Sequence, residues 1–207
     1  MRGMVGRACT AGLVIGVLVT GLTACTGDAG GDGKAEACTN GTYAWSRVQR
    51  TEKLTEMSDP ISFEKRTASY SARLKPVDDE VYRPTVTGAP RGIGAAAVIT
   101  ELGTHLSVEE PLAGPSEKEP TELGHYFEAA TGDLKGDYYS WGYIKMVTAD
   151  FAYTCGNGEP VKGQVLTWEG TGSGFMPCSE ELPEGVGARA AARALCPAGS
   201  RAARAAD

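Results

Sequence analysis

The chain has 207 residues, with 20 lysines and arginines against 26 aspartates and glutamates and a formal net charge of −6. That acidic surplus argues against a nucleic-acid partner, since neutralising phosphates requires clustered basic side chains. About 160 residues separate the first and last cysteines of the body, Cys38 and Cys196, enough for one hydrophobic core and too few for two comfortable ones.

In chain order, Arg2 and Arg7 come first, followed by an almost unbroken apolar run over residues 11–23, and no acid occurs before Asp28. A basic segment followed by roughly a dozen apolar residues has the layout of a secretory signal, and it falls short of the about 20 residues that a membrane-crossing helix requires. The run ends in Leu22-Thr23-Ala24-Cys25, which resembles the processing site of bacterial lipoproteins at each of its four positions. The resemblance implies that residues 1–24 are removed, and that Cys25 becomes a mature N-terminus bearing a diacylglyceryl group on its sulfur. The protein would then sit lipid-anchored on the outer face of the cell membrane. Two acyl chains, at about 0.8 kcal/mol per buried CH₂, hold a protein stably where one chain does not. Loss of Arg2 and Arg7 leaves a mature charge of about −8, so attachment is expected from the lipid and not from a basic face. Residues 26–37 are rich in Gly and Asp with no bulky apolar side chain, and read as a flexible tether following Cys25.

Cys9 leaves with the leader and Cys25 is taken by the lipid, so Cys38, Cys155, Cys178 and Cys196 remain. Outside the cytosol four cysteines imply two disulfides, among three possible connectivities. The pairing expected here is Cys38–Cys155, tying the first strand to a late one, and Cys178–Cys196, closing a loop of roughly 18 residues worth about 3 kcal/mol.

Asn40-Gly41 opens a strand over residues 42–50 with Tyr43 and Trp45 on one face. Residues 68–74 alternate apolar and polar, ended by Pro76. The apolar run 95–102 reads as a buried strand, 109–121 as an exposed Pro- and Glu-rich loop, and 124–129 as a weaker strand. The strongest signal lies at 139–153, where Tyr139, Trp141, Tyr143, Val147, Ala149, Phe151 and Tyr153 share one parity. That length implies one long bent strand, with Gly142 or Lys145 marking a bulge, or two strands in succession. A turn at 156–160 and an alternating arm at 161–168 complete a hairpin. The Ala- and Arg-rich stretch 186–195 reads as a short helix, stopped by Pro197 and Gly199. These elements predict a mainly β fold, an antiparallel sandwich or partly closed barrel with one short C-terminal helix, stapled by disulfides. The domain spans 38–197, with 198–207 a disordered tail.

Motifs that carry chemistry are weak. Gly92-Ile93-Gly94-Ala95-Ala96-Ala97 fits the GxGxxA form of a dinucleotide loop, but no βαβ context surrounds it. Ser62-Phe63-Glu64-Lys65 fits SxxK, yet in a strand Ser62 and Lys65 face opposite sides. Gly170-Thr171-Gly172-Ser173-Gly174 misplaces the serine of GxSxG. His105 and His125 lie in no metal or catalytic spacing, and Asp78-Asp79-Glu80, Asp133 and Asp137 lack the pattern of a calcium loop. No catalytic, cofactor or metal residue is assigned. The stripe Tyr139, Trp141 and Tyr143 is a candidate ligand-binding face, with core packing as the competing reading.

Leader, tether and disulfide-bearing β domain together resemble the lipoproteins of unknown function common in high-GC Gram-positive bacteria. The expected function is a non-catalytic binding or interaction module of the cell envelope, with a protein or glycan partner. The alternative is an extracytoplasmic hydrolase using His105 or His125 with carboxylates.

Overall fold

A computed structural model describes residues 38, 40–68, 70–117, 126–129, 134–181 and 184–206, all within one compact unit. The leader, Cys25, the tether, His125 and Asp133 lie outside the described residues. In chain order the elements are β1 (Gly41–Met57), β2 (Ile61–Thr67), β3 (Tyr70–Arg73), β4 (Lys75–Pro76), β5 (Thr85–Thr87), α1 (Ala95–Leu106), β6 (Tyr126–Ala129), β7 (Leu134–Cys155), β8 (Val161–Pro177), α2 (Val186–Leu195) and α3 (Arg201–Ala205). The fold is mainly antiparallel β, and the main six-stranded sheet does not close. Its order is β4-β1-β7-β8-β5, with β2 also pairing β7, while β3 and β6 form a separate two-stranded sheet.

The centre of the sheet is the 22-residue strand β7, so the long period-two stretch is one strand. Gly142 and Lys145 do mark irregularities, but the extra residues sit in the neighbouring strands. Thr55 is unmatched in β1 between Leu54↔Tyr143 and Glu56↔Gly142, and Glu169 is unmatched in β8 between Gly170↔Lys145 and Trp168↔Met146. A further bulge at Arg47–Val48 interrupts β1. Each unmatched residue flips which parity faces the core. In β1 the core-packed residues are Tyr43 and Trp45 before the first bulge, Val48 and Leu54 after it, and Met57 after the second.

One parity of β7 lies under helices at both ends. Val147, Ala149, Phe151 and Tyr153 pack with Val98, Ile99 and Leu102 of α1, whereas Tyr139 and Trp141 pack with Ala188, Ala191 and Ala192 of α2. The opposite parity contributes Ile144 and Met146 to a cluster with Tyr82 and Trp168, and Tyr138 to one with Ile61, Phe63 and Phe175. Aromatic rings on β7 lie across glycines of β8: a Cβ on Gly174 would fall 2.2 Å from the Trp141 ring, and one on Gly172 2.5 Å from that of Tyr143. The Gly170–Gly174 stretch is therefore a bed for two rings and not a nucleophile turn.

Two expectations are corrected. Residues 95–102 are not a strand: they open α1, whose buried Val98, Ile99, Leu102 and Gly103 recur at helical spacing. The GxGxxA segment thus does lead into a helix, with Gly94 as N-cap, but the strand before it is the three-residue β5 in an antiparallel pair. Nor are residues 198–207 a disordered tail where they are described. Ser200 caps α3 by accepting from Ala203 N, Ala202 and Ala206 are fully buried, and Ala202 N donates to Cys178 O at 3.1 Å.

Both expected disulfides are present, Cys38–Cys155 and Cys178–Cys196. The first joins the chain just ahead of β1 to the end of β7, and the second ties α2 to the end of β8. No described helix is long and apolar enough to cross a membrane.

Candidate functional site

Of the stripe Tyr139, Trp141 and Tyr143, the first two are core, and Tyr143 is half-buried at the margin of the same cluster. Tyr139 is wholly buried, Trp141 is 5% exposed, and the two rings stack at 5.2 Å with α2 above them. Burial, followed by the charge of Glu180, pushes the Tyr139 phenol up to about 12. Among the described residues its hydroxyl has no hydrogen-bond partner. The sequence could not place α2 over this stripe, because the buried face of the helix is built of glycine and alanine and carries little directional signal.

A half-buried aromatic pair beside a cleft lies at the other end of the sheet. Tyr43 and Trp45, two residues apart on β1, project to one face. Glu101 and His105, four apart on α1, share one side of the helix. Together with Gly41, Thr42 and Thr104 they line a cleft of about 400 Å³. The half-buried Trp45 ring is stacked with Tyr43 at 5.3 Å and with the exposed His105 ring at 6.1 Å. Phe151 meets both Tyr43 and Trp45 edge-on at 5.7 Å and fixes their tilt from below. Burial pushes the Tyr43 phenol up to about 12, helped by Tyr153 and then Glu101, and among the described residues the hydroxyl has no hydrogen-bond partner.

Among the described residues no hydrogen bond joins His105 to a carboxylate or a hydroxyl, and the Thr104 hydroxyl is spent on Thr100 O at 3.1 Å. Tyr43 and Trp45 were legible as one strand face. Glu101 and His105 were not, because reading 95–102 as a strand separates them by two strand repeats, whereas in α1 they stand one turn apart.

Other motifs resolve without chemistry. Ser62 and Lys65 are exposed on β2. Asp78 and Glu80 meet Lys53: Lys53 Nζ pairs with Glu80 and lies 3.8 Å from Asp78, 4.7 Å over the Tyr82 ring, while Tyr82 Oη donates to Glu80 at 3.1 Å. Hydrogen bonding to Lys53 and Tyr82 holds the Glu80 carboxyl below its ordinary range and raises the Lys53 ammonium. No group of three described His, Cys, Asp or Glu side chains is placed to hold a metal. A second cleft of about 590 Å³ beyond the C-terminus of α1 mixes Arg50 and Lys145 with Glu109, Glu110 and Glu169, and Arg50 Nε is already paired to Glu169 at 2.6 Å. Comparison of the chain with protein-family models, with curated proteins and with solved structures returns no match.

Proposed function

We propose that this protein is a lipid-anchored extracytoplasmic lipoprotein, attached through Cys25, that serves the cell envelope as a non-catalytic binding module. The anchor rests on the Leu22–Cys25 motif and the charged-then-apolar leader before it. The binding role rests on one observation: the Tyr43–Trp45–His105 stack, half open to solvent, lines a cleft with Glu101 on its wall. Partly exposed aromatic rings backed by rigid packing are favoured contact surfaces, since they offer large area at low entropic cost.

Retention on isolated cell-wall fractions, compared for the chain freed of its lipid by Cys25→Ala and for the same chain also carrying Trp45→Ala, tests the binding role. The variant is expected to lose at least about tenfold in retention, with its circular dichroism unchanged; equal retention by the two forms overturns the role assigned to the cleft. The anchor is tested apart from it. Cys25→Ala is expected to appear in the medium, and its persistence in the membrane fraction would refute lipidation at this cysteine.

A further inference from the structure

We infer that the cleft takes an extended peptide, which adds as a strand to the outer edge of β1 over Gly41–Ser46 and sets a lysine or arginine side chain against Glu101. This deepens the binding role above and depends on it. β1 pairs with β7 along one edge from Gly41 to Met57, but on its other edge it pairs with β4 only at Glu56 and Met57. Val77 N extends that pairing to Thr55 O at 2.9 Å, and among the described residues no strand covers the outer edge over residues 41–54. An edge strand turns the N–H and C=O of every second residue outward, a ready template for main-chain pairing.

Length and position are set by the same strand. The bulge at Arg47–Val48, with Arg47 in the left-handed region at φ 48°, ends the regular stretch after Ser46. Six residues at a strand's rise span about 20 Å, room for a peptide of five or six residues. Along that stretch Gly41, Thr42, Tyr43 and Trp45 line the cleft, with α1 forming its other wall. A strand laid there alternates its side chains, so every second one enters the space between Tyr43, Trp45 and Glu101.

Charge decides which side chain fits. Among the described residues lining the cleft, Glu101 is the one carboxylate and none is a lysine or arginine. Its field reaches the aromatic wall, being among the influences that raise the Tyr43 phenol. A cation beside a carboxylate and over electron-rich rings gains from both, whereas an acidic side chain meets repulsion.

Random heptapeptides displayed on phage and selected against the mature chain supply the probe. Enriched peptides are expected to carry Lys or Arg and, once synthesised, to bind Glu101→Gln at least about tenfold more weakly than the parent. N-methylation of alternate peptide residues gives the signature of strand addition, because one set of positions abolishes binding and the other leaves it. No enriched peptide overturns the inference, as does binding indifferent to both methylation sets. In that second case, continued dependence on Trp45 keeps the cleft as a binding site while removing the strand. Light scattering that shows a dimer dissociated by the peptide-free Ala44→Pro variant would give the edge to a second copy, and binding that appears only after deletion of residues 26–37 would give it to the chain itself; either result overturns the assignment to a foreign peptide.

Discussion

Replacing Trp141 by alanine separates a packed stripe from a binding stripe most cleanly. The indole is 5% exposed and stacks on Tyr139 at 5.2 Å. It lies so close to the neighbouring backbone that a Cβ on Gly174 would sit 2.2 Å from it and one on Gly187 3.2 Å. β8 below and α2 above are both main chain at these points, so neither collapses readily into the vacated space. Truncating a buried Trp or Phe to Ala costs about 3–5 kcal/mol, and a poorly relaxing site belongs at the upper part of that range. Against a total stability of about 5–15 kcal/mol, this is a third or more of what a domain holds in reserve. With roughly 2–4 °C lost per kcal/mol in a domain of this size, the thermal midpoint should drop by about 10–15 °C. Calorimetry of the mature chain with both disulfides intact reads it directly. A shift under about 3 °C would show that the indole is not the packed spacer between sheet and helix that the geometry makes it.

Glu52 caps a helix from another element: its Oε1 accepts from Gly187 N at 2.9 Å, where α2 has no side-chain cap of its own. Glu52→Ala should cost about 1 kcal/mol in urea unfolding, with Glu52→Gln recovering most of it, and equal midpoints for all three forms would dismiss the cap. Replacing Cys178 and Cys196 by serine opens a loop with a sequence separation of 18 residues. The expected loss is about 3 kcal/mol, with faster amide exchange over residues 186–206; unaltered exchange there would show that the Ala seat holds α2 and α3 unaided. Tyr43 and Tyr139, both held up to about 12, keep protons that an unfolded chain releases near the ordinary tyrosine value of about 10. Their contribution is intact below about pH 10 and is lost as pH rises through about 12, so tyrosinate absorbance should lag for these two in the native protein and catch up in denaturant.

How much could be read beforehand depended on whether the pattern was local. The hairpin of β7 and β8, the parity of residues 139–153 and the helix at 186–195 all follow from periodicity and turn chemistry within a few residues. The strand at 42–50 stopped short of Met57 because the bulges at Arg47–Val48 and Thr55 flip the core-facing parity twice. Val98, Ile99 and Thr100 gave residues 95–102 a β-branched centre. The buried set Val98, Ile99, Leu102 and Gly103 has a helical period, and packing on Val147, Phe151 and Val165 outweighs propensity. The cleft was half visible for the same reason: Tyr43 and Trp45 belong to a local strand pattern, while Glu101 and His105 depend on a helix whose placement is tertiary.

The Cys38–Cys155 bond has a mechanical consequence. Tension applied to the chain ahead of Cys38 would, without the bond, fall on Gly41 at the end of an edge strand and peel β1 from β7 one residue pair at a time. With the bond, the load passes across to Cys155 and into the central strand of the sheet, which β1 and β8 grip on both sides. A pull then has to slide strands past each other along many residue pairs at once, the direction in which a sheet resists most, and the open edge beside Tyr43 and Trp45 keeps its shape under strain.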